Sequence, residues 1–210
     1  MTRSAGQILR AGTVLGLFAV VAAGVLAGTY ALTADRIRES EQRRLLKQLQ
    51  QVLPQGAYDN DIAADAIVLD APALTAGGPM TVYRARRAGA PVAAVLSVAT
   101  PDGYSGPIAA LVGITHEGRI SGVRVLAHRE TPGLGDKIDI ERNDWILDFN
   151  GRSPSEPGAR GWAVRKDGGV FDQFAGATIT PRAVVKLVYR TLQYFEQNRE
   201  TLFAPAAGQP

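Results

Sequence analysis

Asp172-Gln173-Phe174-Ala175-Gly176-Ala177-Thr178-Ile179-Thr180-Pro181 is the stretch from which the rest of the chain can be worked out. Its far end starts a helix. Thr180 fits an N-cap, whose side-chain oxygen accepts from a free first-turn N–H. Pro181 fits the first helical position, where the missing N–H would have had no partner. Val184, Val185, Leu187, Val188, Leu192 and Phe195 then give that helix an apolar side. The near end carries almost no bulk. Gly176 and Ala177 leave room around the Thr178 hydroxyl, and the free N–H groups and positive dipole end of the coming helix favour an anion there. By themselves these residues describe a small-residue loop entering a capped helix, because three-residue motifs are common.

Working towards the N-terminus, β-like runs occupy Thr81–Arg86, Pro91–Ala99, Ile108–Thr115 and Arg119–Leu126. His116, Glu117 and Gly118 between the last two predict a hairpin, with His116 as an exposed turn residue. Tyr58–Met80 is a loop-rich entry with one short apolar run, Ala66–Leu69. His128 to Gly135 is a compact loop stiffened by Pro132 and eased by Gly133 and Gly135. A short helix is expected around Asp136–Phe149, a mobile linker at Gly151–Gly161 and one more strand at Trp162–Arg165; Trp145 and Trp162 read as core residues. The pattern predicts an α+β fold.

No residue from Ala11 to Ala34 is charged, whereas a bilayer core needs roughly 20 apolar residues in helical form. We read one transmembrane helix over 11–34, continued by an amphipathic juxtamembrane helix over 35–53 that stops before Pro54. A cleaved signal peptide is the competing reading, with an apolar region of only ~7–15 residues. Arg36, Arg38, Arg43, Arg44 and Lys47 follow the span and Arg3 and Arg10 precede it. That count would put the domain in the cytoplasm, but long domains translocate regardless of it, so the residues leave orientation open.

Composition excludes several classes. The 210 residues hold no cysteine, which removes disulfides, thiolate zinc sites and cysteine-held iron–sulfur clusters. Two histidines do not make a metal site, and a net charge of +3 without a basic cluster argues against nucleic acid as a partner. No catalytic residue and no metal ligand stands out.

Asp172-x-x-Ala175-Gly176-Ala177-Thr178 resembles the Asp-x-x-(Ser/Thr)-Gly-Ala-Thr signature of the FMN-binding domain family, with Ala175 where the family has a hydroxyl. Glu130-Thr131-Pro132-Gly133-Leu134-Gly135-Asp136-Lys137-Ile138 resembles a loop of the G subunit of Rnf-type ion-translocating oxidoreductases. Phe171–Arg199 is also more similar to that subunit than to the C subunit of the sodium-translocating NADH:quinone reductase. The resemblance covers nearly the whole chain. It implies FMN bound covalently, as a phosphoester, on Thr178, with Thr180 as the rival hydroxyl outside the signature. Gly176 and Ala177 then supply space, and Asp172 positions the acceptor loop or the metal of an FAD-dependent flavin transferase, or forms a structural turn. Glu130 and Thr131 line the flavin ring.

The same resemblance implies a single-pass electron-carrier subunit of a translocase in the bacterial inner membrane, its flavin domain periplasmic. Its partners would be membrane lipid and the other subunits of a complex coupling ferredoxin/NAD electron transfer to ion movement. The implied division is 1–10 cytoplasmic, 11–34 transmembrane, 35–53 juxtamembrane, 54–203 FMN-binding domain and 204–210 disordered tail. Two alternatives stay open: a flavoprotein like the quinone-reductase C subunit, and a membrane-anchored scaffold module without redox function.

Overall fold

The computed structural model describes residues 2–53 and 56–204, the side chains of 2–5, 8 and 9 excepted. Pro54 and the tail residues 205–210 lie outside that description. The chain divides into a helical unit, 1–45, and a compact unit, 46–210. One helix, α1 (Thr2–Val52), runs through the first and ends in the second.

In the first unit α1 is long and apolar enough to cross a membrane, with a mean hydropathy of 2.1 in its most apolar window. Leu15, Phe18, Leu26 and Leu32 all project outward. The Thr29 and Thr33 hydroxyls donate to carbonyls one turn back, Val25 O at 2.7 Å and Thr29 O at 2.8 Å. The helix thereby satisfies its own polar side chains, as hydrocarbon requires.

The second unit is α+β. Strands β1 (Ala66–Leu69), β2 (Met80–Arg87), β3 (Ala90–Thr100), β4 (Ile108–Thr115) and β5 (Ile120–Ala127) form one antiparallel sheet in chain order. Helix α2 (Ile179–Phe203) covers one face, packing mainly on β3 and β4. The β2–β3 connection is two residues, Ala88 at φ 49° and Gly89 at φ 80°. Positive φ at both positions belongs to the type I′ turn, whose twist matches that of the strands. Val82, Leu96, Val98, Val112, Ile114 and Val123 meet Val184, Leu187, Val188, Leu192 and Phe195 of α2 in the main core.

The opposite face carries a device based on two glycines. Gly113 of β4 pairs with Gly122 of β5. A Cβ on Gly113 would overlap Val52 O, and one on Gly122 would lie 2.8 Å from Val52 Cα. Their missing side chains form the seat for the last turn of α1. Leu49 and Val52 are fully buried there, and the Ser121 hydroxyl donates to Val52 O.

The C-terminal end of α2 is held by cations from β2. Arg84 donates to Ala204 O, and Arg86 Nη2 donates to Phe203 O at 2.9 Å. Asp65 pairs with both guanidiniums. Positive charge thus sits at the negative end of the helix dipole.

Four expectations need correcting. Asp136–Phe149 is not one helix but two 3-10 turns, Gly135–Ile138 and Asp144–Phe149. Asn143 interrupts them because its side chain accepts from Trp145 N at 2.9 Å and caps the second turn. Trp162–Arg165 is not a strand. It makes a single bridge, Val164 to Phe171, before the chain turns at Gly168 with φ 87°. The segment 151–161 is not a free linker: Gly151 N donates to Ile120 O at 2.7 Å, Ile120 N to Arg152 O at 2.8 Å, and Trp162 Nε1 to Ser153 O at 3.2 Å. His116, expected to be exposed, is half-buried with its ring 5.3 Å from that of Phe203.

Candidate functional site: the acceptor turn ahead of α2

The signature folds into a tight turn. Ala177 N donates to Phe174 O at 3.1 Å, and Gly176 sits at the third position of that turn with φ 79°. Such a conformation excludes most residues with a Cβ and explains the glycine. Phe174, at the start of the turn, is buried against Trp145, with ring centroids 5.1 Å apart. Trp145 Nε1 also donates to Asp172 O at 2.9 Å, so a core tryptophan fixes the backbone on which the turn stands. The Asp172 carboxylate is exposed and pairs with Arg165 at 2.8 Å. Asp172 also borders a polar cavity of about 400 Å³ lined by Lys137, Asp144, Trp145, Asp148 and Phe174.

Helix α2 begins at Ile179, two residues earlier than the expected Pro181. Thr178 is the N-cap residue, and its side chain makes no capping hydrogen bond. The residue is half-exposed, and its hydroxyl is, among the described residues, unbonded. Thr180, expected to be the cap, lies inside the first turn at 0% exposure and donates its hydroxyl to Glu130 Oε2. The reason is tertiary: a buried carboxylate across the fold is a better acceptor than a local first-turn arrangement. Among the described residues the N–H groups of Ile179 and Thr180 have no backbone acceptor, and of these two residues Ile179 is exposed beside Thr178 whereas Thr180 is fully buried. Arg182 in the same turn is committed to Asp167 in a bidentate pair, which holds the Asp167 carboxyl below its usual range.

Glu130 is 4% exposed. Its N–H donates to His128 Nδ1 at 3.1 Å. Its carboxylate accepts from Ser105 N at 3.0 Å, from Tyr104 N at 3.3 Å and from Thr180. Thr131 is exposed at the head of the same loop.

Sequence reasoning missed three apolar residues around the turn: Leu134, Ile179 and Tyr104, exposed by 41%, 46% and 68%. Leu134 Cδ2 lies 3.6 Å from where a Cβ of Gly176 would be. An apolar leucine between two glycines in a loop was the available signal. Together these residues offer an unbonded hydroxyl, an unused N–H on the exposed Ile179 for a phosphate and apolar surface for a planar ring. That set fits a tethered flavin nucleotide.

Residues 103–193 match the FMN-binding domain family, and residues 1–52 match the RnfG N-terminal region. Over 205 residues the chain is 48% identical to the G subunit of the ion-translocating oxidoreductase complex of Pseudomonas aeruginosa strain UCBPP-PA14, covering 96% of each chain. It belongs to this G subunit family. The G subunit of Pseudoalteromonas atlantica is 47% identical over 198 residues, covering 94% of this chain and 92% of its own. The G subunit of Vibrio cholerae strain O395 is 47% identical over 195 residues, covering 93% of both. The FMN-binding match begins at the loop that Glu130 holds and spans the acceptor turn and most of α2, so the region matched by the family contains the whole site described above.

Proposed function

We propose that the chain is the flavin-carrying electron-transfer subunit of an Rnf-type complex, with FMN joined to Thr178 Oγ1 as a phosphoester. The observation that carries this reading is the contrast between two threonines two positions apart. Thr178 is half-exposed with a hydroxyl that caps nothing, and Thr180 is buried and bonded to Glu130. Attachment would be made by an FAD-dependent transferase. Thr178 Oγ1 forms the new bond to the phosphorus on the riboflavin side of the FAD pyrophosphate, the bond to the AMP oxygen breaks, AMP leaves and the threonine proton passes to a base of the transferase.

The flavin supplies one-electron carriage when attached. The chain's own residues do the rest. Gly176 sets the turn, and Ala177 adds no bulk. The N–H of the exposed Ile179 receives the phosphate charge, favoured further by the α2 dipole. Leu134, Ile179 and Tyr104 provide apolar surface for the ring. Thr131, exposed in its loop, faces the ligand with its hydroxyl. Asp172, exposed and paired with Arg165, is a handle by which the transferase could take hold of the turn.

We place residues 11–34 in the inner membrane, with 1–10 cytoplasmic, 35–53 juxtamembrane and the 54–203 domain periplasmic. There the complex would couple ferredoxin/NAD electron exchange to ion movement. A covalent tether suits a cofactor that would otherwise diffuse away from an exported domain. The test is in-gel flavin fluorescence after coexpression with the transferase, followed by peptide mass mapping. Wild type should fluoresce after denaturation and Thr178→Ala should be dark. Fluorescence that survives Thr178→Ala refutes the assignment.

A further inference from the structure

Glu130 has a local environment that no ligand contact explains. It is a carboxylate at 4% exposure with three donors aimed at it and, among the described residues, no cation paired to it. The donors come from two separate parts of the chain. Tyr104 N and Ser105 N belong to the loop between β3 and β4, and the Thr180 hydroxyl belongs to the first turn of α2. The backbone around it is shaped to let it in. A Cβ on Gly103 would sit 2.9 Å from Glu130 Oε1, and a Cβ on Gly135 would sit 2.9 Å from both Glu130 Cβ and Thr180 Oγ1. Glu130's own N–H is fixed by His128. A buried charge is costly unless fully hydrogen-bonded, and its position at a helix N-terminus lowers that cost further. So complete a set of partners makes Glu130 a rigid strut between the 103–105 loop and α2.

We propose that Glu130 is a positioning residue for flavin attachment, acting through Thr180 to hold the first turn of α2 so that the Thr178 hydroxyl is presented outward. This rests on Thr178 being the acceptor. The strut has a directional consequence. Residues two apart in a helical turn point to nearly opposite sides, since each step rotates about 100°. Locking the Thr180 side chain inward therefore turns the Thr178 side chain outward. The same lock removes Thr180 from competition, because its oxygen is enclosed and its proton is committed. It also places Tyr104 and Leu134 on either side of one clamped centre, since both lie in loops that Glu130 holds.

The experiment uses the full chain coexpressed with the transferase under brief induction, reading the flavinylated fraction of the Thr178 peptide against time. Glu130→Gln keeps the size of the side chain but puts an NH2 where one of the two accepting oxygens stood, so at least one donor then faces a donor. We expect attachment at Thr178 to slow at least tenfold in Glu130→Gln and in Thr180→Val, with the double variant no slower than either alone. Thr180→Ser, which keeps the hydroxyl, should restore attachment to near the wild-type rate. Leu192→Ala, roughly 18 Å further along α2 and destabilised through the core, should attach flavin at the wild-type rate. A wild-type rate in Glu130→Gln overturns the proposal. So does a Leu192→Ala chain that slows as much as Glu130→Gln at equal loss of melting temperature, for then only stability is at work. If Glu130→Gln fails to fold, the Thr180→Val and Thr180→Ser pair decides alone, and equal rates in those two overturn the proposal. A wild-type Thr178 peptide without flavin removes the acceptor reading and this proposal with it. A modified wild-type peptide beside an unimpaired Glu130→Gln removes only the proposal.

Discussion

Replacing Gly176 by alanine isolates the backbone conformation that presents Thr178, the proposed acceptor. Gly176 has φ 79°, and an added Cβ would meet Leu134 Cδ2 at 3.6 Å, an ordinary contact. There is no clash, so the whole penalty is the left-handed conformation, about 1–2 kcal/mol for an L-residue. Alanine also narrows the unfolded ensemble, which returns ~0.5 kcal/mol. The net expectation is a loss of about 1 kcal/mol, or a melting temperature lower by about 2–4 °C for a domain of this size. Gly89 makes a matched control, because it has φ 80° with nothing within 4 Å of its would-be Cβ and it lies in the β2–β3 hairpin.

Gly89→Ala should therefore lose the same stability and keep full flavin attachment, whereas Gly176→Ala should lose both. Gly176→Asn should recover part of each, because asparagine tolerates positive φ better than alanine. Urea unfolding of the full chain in detergent gives the first quantity and flavin fluorescence per folded protein the second. If Gly176→Ala is as stable as wild type, or if asparagine is no better than alanine, backbone strain is not what the glycine relieves.

Gly113→Ala should cost about 1–3 kcal/mol by overpacking, because the new methyl group would overlap Val52 O; amide exchange near Val52 should speed up in step. Arg84→Leu should cost about 3 kcal/mol, since it strips Ala204 O of its donor and leaves Asp65 with Arg86 as its remaining cation; chemical denaturation checks this, and a loss below 1 kcal/mol would mean that water replaces the arginine. Asp102 has its carboxyl lowered by hydrogen bonding and charge from Lys186, 2.8 Å away. A carboxylate depressed on folding stabilises above its unfolded pKa, near 4, and loses that contribution as pH falls through the lower folded value. The pair is solvated, so the acid-sensitive part should be only ~0.5 kcal/mol, and it should vanish in Asp102→Asn when stability is compared at pH 6 and pH 2.5.

Much of this protein could be taken directly from its residues. The uncharged run 11–34, the alternating strands and the apolar side of α2 are repeats of period two or 3.6 within single segments, so they need no knowledge of neighbours. The Gly-Ala-Thr signature was legible through its resemblance to a family, because by themselves its residues describe only a small-residue loop entering a helix. The short pieces between strand and helix were misjudged, since 3-10 turns at 135–138 and 144–149 depend on caps and on a core that they help to line.

Tertiary structure alone decided what each polar residue of the site does. Thr180 looked like a cap and is a buried donor, because its acceptor, Glu130, stands 50 residues away. Nothing around Glu130 in the chain marks it as buried, because its partners come from the β3–β4 loop before it and the first turn of α2 after it. Gly113 and Gly122 looked like ordinary strand glycines and are the seat of a helix that ends some 60 residues earlier, near Val52. A side chain's task is set by whichever group meets it when the chain closes on itself, and local pattern carries no record of that meeting.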